Sequence, residues 1–250
     1  MTVVLATGGN RGIGHAIVRS LCSRIPDATV VVGCRSREIA AESVEELRAQ
    51  GLRVDGLALT ITDDASIREA VSTVEGKYGR LDVLVNNAGA VPVPKSQELE
   101  ELRSNWAEGL DCLLTSPMLV TKAFIPLLRK SEWGRVIMVS TARGSLTRNR
   151  ALDMPPSQHW MYDCSKAALN LAMIEFRNSE VREIPQEKDR ITFWAASPGH
   201  CRTGFNGFRG TKDPLEGAEV VSRLLASRRA EIPSGTFWEC EYGNFQQIPW

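Results

Sequence analysis

Short apolar, β-branched segments alternate along the chain with longer segments whose apolar residues recur at helical spacing. The short segments, which we predict to be strands, are residues 2–6, 29–33, 56–59, 82–86, 135–140 and 191–196. The longer segments, predicted to be helices, are residues 37–50, 63–78, 99–128, 161–181 and 215–227. Strands that alternate with helices predict an α/β fold, in which a doubly wound parallel sheet carries helices on both faces.

Three other features complete this outline. Pro117 should bend or interrupt the helical segment 99–128, because proline lacks the N–H that the helix needs. Two long connections, residues 142–161 and 204–214, follow predicted strands at the end of the sheet where α/β proteins bind ligands. No internal repeat or linker composition divides the 250 residues, so we expect one domain over 1–250.

Charge and cysteine usage narrow the class of partner. Lys plus Arg and Asp plus Glu both total 30, so no net field favours nucleic acid or a membrane surface. The six cysteines are dispersed and there are only three histidines, which predicts neither a metal site nor a disulfide framework. No leader and no apolar run of membrane-spanning length is evident, so we expect a cytoplasmic protein with a small-molecule partner.

A glycine-rich turn follows the first predicted strand in "ATGGNRGIGHAIV". Gly8, Gly12 and Gly14 would permit a tight turn, and the next helix would offer its N–H groups to a pyrophosphate. At the end of the second strand, Arg35 and Ser36 occupy the place where an acidic residue would bind a ribose hydroxyl. Together with Arg11, Arg35 could instead meet a 2′-phosphate, so the predicted cofactor is NADP(H).

Tyr162 and Lys166 are four residues apart in "YDCSK" and would share one helix face. An ammonium beside the phenol would lower the tyrosine pKa and make Tyr162 a possible general acid or base. The spacing is also common in ordinary helices, where the two side chains merely pack and point to water.

Four motifs occur in order along the chain: the glycine turn, "NNAG" at 86–89, YxxxK, and "SPG" at 197–199 followed by Thr203. With these motifs the sequence resembles the short-chain dehydrogenase/reductase family, and especially its NADPH-dependent carbonyl reductases. The resemblance implies a Rossmann-type fold, Tyr162 as proton donor, Lys166 lowering its pKa and holding the nicotinamide ribose, and a serine that orients the carbonyl. It also implies a set of cofactor-binding residues: Gly8, Asn10, Arg11, Gly12, Ile13, Gly14, Arg35, Ser36, Thr60, Asn87, Ala88, Gly89, Tyr162, Lys166, Pro198, Gly199 and Thr203.

The sequence departs from the family pattern at three positions. The carbonyl-orienting serine aligns with Thr141, while Ser140 is one residue earlier and Ser145 is a third candidate. The helix asparagine that serves the lysine aligns with Leu113, which has no hydrogen-bonding group. The adenine-contacting aspartate aligns with Thr60, and Asp63 could cap a helix instead.

The function expected from this resemblance is NADPH-dependent reduction of a ketone or aldehyde. Trp160, Phe205 and Phe208 would line an apolar substrate pocket suited to an aromatic or polycyclic carbonyl compound. The alternative is an NADP-binding homologue with non-redox activity, such as isomerisation or cyclisation, or with a sensing role. The family also implies a possible homodimer or homotetramer.

Overall fold

One eight-stranded sheet forms the centre of the computed structural model, which describes residues 1–157 and 159–250. Its strand order is β3-β2-β1-β4-β5-β6-β7-β8, and only β8 runs antiparallel to its neighbour. The strands are β1 Thr2–Thr7, β2 Ala28–Cys34, β3 Val54–Ala58, β4 Val83–Asn86, β5 Arg135–Val139, β6 Thr192–Ser197, β7 Thr236–Glu241 and β8 Asn244–Gln247. The predicted doubly wound α/β fold is confirmed.

The main helices cover both faces of this sheet. They are α1 Gly12–Arg24, α2 Arg37–Ala49, α3 Asp64–Tyr78, α4 Leu99–Leu110, α5 Ser116–Leu128, α6 Leu146–Arg150, α7 Trp160–Glu183 and α8 Pro214–Ala226. Apolar residues of α1, α2 and α8 pack on one face, while those of α3, α5 and α7 pack on the other. Burial on both sides explains why the central strands are almost wholly apolar.

Local sequence signals fix several helix ends. The side chain of Asp63 caps α3 by accepting hydrogen bonds from the amides of Ala65 and Ser66 at 2.8 and 3.1 Å. Ser36 caps α2 through the amide of Ile39, and Asp213 caps α8 immediately before Pro214. These caps hold the loops between them and the sheet in defined positions.

The predicted helix 99–128 is interrupted by a π-helical turn, Asp111–Thr115, between α4 and α5. Pro117 follows as one of the first residues of α5, so the predicted interruption occurs just before the proline. Residues Leu99–Leu128 also include a window of mean hydropathy 1.3, long and apolar enough to cross a membrane by length and composition. The expectation that no such run exists is therefore wrong, although Val120, Phe124 and Leu127 are buried against the sheet, as in a core helix.

The strands β7 and β8 are absent from the sequence prediction. Their segment mixes Glu, Gln and Asn with aromatic residues, so neither a continuous apolar run nor clean alternation marks it. Stacking of Trp238 on Phe245, with ring centroids 4.6 Å apart, stabilises this edge hairpin.

Candidate active site

The glycine turn between β1 and α1 has a backbone geometry that favours glycine. Gly8 and Gly12 have φ of +65° and +56°, in the left-handed region. A Cβ on Gly14 would clash with the carbonyl oxygen of Gly8. The amide of Gly8 donates to the carbonyl of Gly33 at 2.8 Å, which ties the turn to the end of β2. The turn therefore brings bare backbone to the start of α1.

Asn87 and Ala88, both expected at the cofactor, bind the glycine turn itself. Their amides each donate to the Thr7 hydroxyl at 3.0 Å. The Asn87 side-chain amide also donates to the carbonyls of Thr7 and Gly8 at 2.9 and 3.2 Å. This network fixes the turn relative to the end of β4.

Arg11 and Arg35, the two cations expected at a 2′-phosphate, are both exposed near the turn. Arg11 immediately precedes α1, and Arg35 immediately follows β2. The Thr60 hydroxyl donates to the Arg35 carbonyl at 3.0 Å, and Ser36 is occupied as the cap of α2. The two arginines therefore retain side chains that can reach a ligand, whereas Thr60 and Ser36 also brace the backbone.

Tyr162 lies on the first turn of α7, and the hydroxyl of Thr141, just beyond β5, is near enough to its phenol to act on the tyrosine pKa. Burial raises the pKa of Tyr162 to about 12, and the charge of Asp163 acts in the same direction. The hydrogen bond to Thr141 and the charge of Arg143 act to lower this pKa. The phenol is therefore protonated at neutral pH and can donate a proton.

Lys166 is buried one turn further along α7. Its ammonium donates to the carbonyl of Val139 at 2.8 Å and lies 5.9 Å from the centroid of the Tyr162 ring. Burial lowers the pKa of Lys166 to about 8, because an apolar environment disfavours the charged form. Near neutral pH this lysine thus stands close to its titration midpoint.

The expectation that Lys166 lowers the pKa of Tyr162 stays a prediction. The phenol is raised to about 12 by burial, and the groups that counter this effect are Thr141 and Arg143. The ammonium of Lys166 is directed to the Val139 carbonyl at the end of β5, and burial lowers its own pKa.

The three hydroxyls considered for the carbonyl-orienting role are in different environments. Thr141 contacts Tyr162, whereas the hydroxyl of Ser140 is buried with no hydrogen-bond partner in the described ranges. Ser145 donates to the carbonyl of Pro249 at 2.6 Å and caps α6 through the amide of Arg148. Only Thr141 is thus brought to the tyrosine.

Leu113, at the place of the family's helix asparagine, is buried within the π-helical turn. Its side chain packs so closely against Gly89 that a Cβ there would lie 2.8 Å from the Leu113 Cδ2 atom. An apolar side chain therefore occupies the space between the end of β4 and the helix.

Three exposed aromatic residues were expected near Tyr162, namely Trp160 at the start of α7 and Phe205 and Phe208 in the segment 204–214. Phe205 packs against the Tyr162 ring, with centroids 5.7 Å apart and planes inclined by 56°. Trp160, Phe205 and Phe208 are 71%, 54% and 67% exposed. Of the three residues expected at the substrate, Phe205 is the one in contact with the tyrosine.

We call residues 204–214, which include Phe205 and Phe208, the flap. Hydrogen bonds and an ion pair attach the flap to the rest of the protein near both of its ends. At one end Asn206 and Thr203 form a reciprocal capping box, and Asn206 donates to the Cys201 carbonyl at 2.8 Å. At the other end the ammonium of Lys212 binds the Glu241 carboxylate at 3.0 Å and the Cys240 carbonyl of β7.

The residues just before the flap lie near the glycine turn. A Cβ on Gly12 would lie 3.5 Å from Thr203, so the two expected cofactor-binding positions are neighbours. Gly199 has φ of +84°, and a Cβ there would clash with the Glu241 carboxylate. The chain after Pro198 thus turns sharply toward the glycine turn.

The arginines of the first long connection are not all on a solvated face. Arg148 forms a bidentate pair with Glu239, at 2.9 and 2.5 Å, and the Glu239 side chain is only 4% exposed. Arg143 lies 3.8 Å from Asp163 and donates to the Pro155 carbonyl at 3.1 Å. The connection also contains α6, which is tied to the C-terminal residues through Ser145 and Thr147. Gln158, within this connection, lies outside the described residues.

The fold and this arrangement define a nucleotide-binding oxidoreductase, and comparison with known proteins gives the family. A family model described as "short chain dehydrogenase" matches residues 2–213. The chain belongs to this family, whose members act on carbonyl or alcohol groups and bind NAD(P).

Individual relatives point toward its carbonyl reductases. The chain is 34% identical over 258 residues to a short-chain dehydrogenase/reductase of Aspergillus fumigatus, covering 99% of this chain and 97% of that protein. It is 31% identical to carbonyl reductase [NADPH] 1 of Pongo abelii, covering 95% of both. The structure of NADPH-bound carbonyl reductase from chicken fatty liver superimposes with a TM-score of 0.78 at 25% identity, covering 100% of both chains.

Sequence reasoning missed several residues that shape this site. Thr7 organises the turn at Asn87, Lys212 and Glu241 hold the flap, and Arg148 and Glu239 hold α6. Thr7 has a sequence signal, because it stands directly before Gly8 of the glycine turn. The two ion pairs have none, because their members are distant in the sequence. Glu239 and Glu241 also lie in β7, a strand that the sequence pattern did not reveal.

Proposed function

We propose that this protein is an NADPH-dependent reductase of a ketone or aldehyde. The observation that carries the proposal is the placement of the Thr141 hydroxyl beside the protonated phenol of Tyr162, with Lys166 on the same helix and its ammonium 5.9 Å from the centroid of the tyrosine ring. These two hydroxyls converge at the end of β5, where an α/β sheet binds its ligand. One hydroxyl can hold a carbonyl oxygen while the other protonates it.

The residues around the glycine turn fit a dinucleotide phosphate. The space next to Gly8 and Gly14 tolerates no side chain, so backbone amides can approach a pyrophosphate at the start of α1. Exposed Arg11 and Arg35 provide two cations for a 2′-phosphate, which favours NADP(H) over NAD(H). A relative and a solved structure are both named as NADPH carbonyl reductases, which supports the same cofactor.

In the proposed mechanism, NADPH supplies the hydride when it is bound. Thr141 donates a hydrogen bond to the substrate carbonyl oxygen and orients it toward the phenol of Tyr162. As negative charge develops on that oxygen, Tyr162 transfers its proton to it, and the ammonium of Lys166 stabilises the phenolate that remains. Phe205, packed on the tyrosine ring, limits the access of water to this proton.

The substrate we propose is an apolar carbonyl compound, aromatic or polycyclic. Trp160, Phe205 and Phe208 offer exposed aromatic surface, of which Phe205 contacts the tyrosine, while the half-buried Arg148 is already paired with Glu239. Such a lining gains free energy from burying an apolar ring and offers little to an acid or a sugar.

The experiment that tests this function follows the oxidation of NADPH and of NADH by purified protein with aromatic ketones, quinones and aldehydes. We expect NADPH to be preferred and Tyr162→Phe to lower turnover by roughly a hundredfold or more, because a general acid contributes at least that factor. Near-normal turnover by this variant would contradict the proposal. Arg35→Ala should weaken the binding of NADPH but not of NADH.

One observation favours the alternative, a homologue that binds NADP without redox turnover. Leu113 fills with apolar atoms the place where the family has an asparagine that serves the lysine. Tight NADPH binding with no turnover on any carbonyl compound would favour this alternative. Turnover gained in Leu113→Asn would then show that the leucine causes the loss.

We also propose a cytoplasmic location and assembly into a homodimer or homotetramer. Leu119 of α5 and Leu171 of α7 are exposed apolar residues on long helices, where a second copy could cover them. Light scattering of the protein, compared with Leu119→Glu and Leu171→Glu, would test the assembly. A monomer at all concentrations would exclude it.

A further inference from the structure

A cleft of about 660 Å³ opens at the end of the sheet opposite Thr141, near the amino ends of β1 and β5. Its size is that of a small-molecule site. Its lining is rich in cations and includes three arginines and a lysine. The lining residues are Met1, Thr2, Arg80, Asp82, Lys130, Ser131, Glu132, Trp133, Arg135 and Arg229.

Arg135, the first residue of β5, carries the least satisfied cation of this cleft. Its guanidinium donates to the carbonyl of Leu225 at 3.2 Å, but its Nε atom is buried with no partner in the part of the chain that the structure describes. Burial lowers the pKa of Arg135 to about 10. An arginine desolvated in this way gains from an anion that accepts its remaining N–H groups.

The charge of the Asp82 carboxylate acts on Arg135, but the oxygens of this carboxylate already accept hydrogen bonds from other groups. It accepts hydrogen bonds from the Val3 amide at 2.7 Å, from Arg80 at 3.0 Å and from the Ser131 hydroxyl at 2.5 Å. Lys130, another lining cation, is paired with Glu75. The only other acid in the lining, Glu132, is exposed.

Trp133 holds two guanidinium groups at the cleft. Arg135 and Arg229 lie 4.6 and 5.9 Å from the centroid of its ring. The indole is itself fixed by a hydrogen bond to the Thr192 hydroxyl at 2.8 Å. Arg229 donates one further bond, to the Glu132 carbonyl at 3.0 Å, and is otherwise exposed. The two guanidiniums are therefore pre-positioned beside one ring.

We propose that this cleft is a second ligand site, which binds a small organic polyanion through Arg135 and Arg229. The ligand class is a molecule with two or more phosphate or carboxylate groups, since these accept the paired N–H donors of a guanidinium. The site is distinct from the glycine turn, because it lies at the other end of the strands. It does not depend on the proposed reductase activity.

Isothermal titration of the purified protein with sodium pyrophosphate and, separately, with sodium citrate tests the proposal. We expect at least one probe to bind, and Arg135→Gln and Arg229→Gln each to weaken it roughly tenfold or more. A preference for pyrophosphate assigns phosphate, and a preference for citrate assigns carboxylate. The matched variant Arg228→Gln, next to the cleft but outside its lining, should bind as the wild type does, and Arg11→Gln reports whether the probe binds at the glycine turn instead.

Three outcomes would overturn the proposal. The first is that neither probe binds. The second is that Arg11→Gln abolishes binding while Arg229→Gln does not, which would place the probe at the glycine turn. The third is that Arg228→Gln weakens binding as much as Arg229→Gln, which would indicate that the probe responds to general surface charge. Since Arg229 is exposed, its variant should fold even if Arg135→Gln does not.

Discussion

Phe205 of the flap lies against Tyr162 of α7, with ring centroids 5.7 Å apart and planes inclined by 56°. The contact joins an exposed loop to the residue that we propose as the proton donor. It also removes part of the phenol from water, and burial is the largest cause of the raised pKa of Tyr162. The flap therefore influences both access to the tyrosine and its acidity.

Replacing Phe205 with alanine should bring the pKa of Tyr162 down from about 12 toward its ordinary value of 10, because water then solvates the phenolate. Spectrophotometric titration of phenolate formation measures the change, and the Tyr162→Phe variant identifies which titration belongs to this residue. Phe208→Ala is the matched control on the same flap. An unchanged titration in Phe205→Ala, or an equal change in both variants, would contradict the prediction.

Thr141→Val should lower turnover by roughly a hundredfold, because it removes the hydroxyl that contacts Tyr162 while keeping the shape of the side chain. Thr141→Ser restores the hydroxyl and should retain most activity. Ser140→Ala should leave turnover nearly unchanged, since the Ser140 hydroxyl has no partner in the described residues. Steady-state kinetics with one carbonyl substrate compares the three, and a larger loss in Ser140→Ala than in Thr141→Val would reverse the assignment.

The activity should decline as pH rises through about 8, the value to which burial lowers the pKa of Lys166. Above this pH the lysine loses the charge that would stabilise the Tyr162 phenolate. The same shift affects stability with the opposite sign. Because the folded pKa is below the ordinary 10.5, the unfolded chain binds more protons between the two values, and this lysine makes folding more favourable as pH rises through that window.

A pH profile of kcat compared with that of Lys166→Arg tests this assignment. Arginine remains charged at all these values, so any activity that the variant retains should lack the decline near pH 8. The same decline in both proteins would show that another group titrates there.

Arg148→Gln should destabilise the protein by roughly 3 kcal/mol at neutral pH, because it leaves the Glu239 carboxylate buried without its partner. Burial acts to raise the pKa of Glu239, but the hydrogen bonds from Arg148 and Gln246 outweigh it, and the pKa is lowered below 4.5. A lowered pKa means that the pair contributes its stability above pH 4.5 and loses it as pH falls through the folded value.

Urea denaturation at neutral and at acidic pH measures this effect. The deficit of Arg148→Gln relative to the wild type should shrink in acid, where Glu239 becomes protonated. Arg150→Gln, on the same short helix but exposed, should match the wild type at both pH values. An equal deficit in the two variants would show that the Glu239 pair does not carry the effect.

The sequence predicted the layered sheet because β1, β2, β4, β5 and β6 are buried on both faces and therefore read as apolar runs. The glycine turn was also predictable, since Gly8 and Gly14 stand where no side chain fits. The direction of the Lys166 ammonium was not, because it depends on the Val139 carbonyl and on burial. Nor could local patterns reveal pairs such as Arg148 and Glu239, whose members meet only when the edge hairpin has joined the sheet.

The bonds of the flap, near Thr203 and at Lys212, bear on which molecules can enter. Because the flap is attached to the rest of the protein near both ends, we expect it not to move away from the sheet as a whole. A ligand would then enter through a rotation of the part that carries Phe205 and Phe208. The length of chain between the two fastenings thus limits how thick an entering molecule can be. A flat ring system would pass where a branched molecule of equal mass is held back, so selection by shape precedes any chemistry at Tyr162.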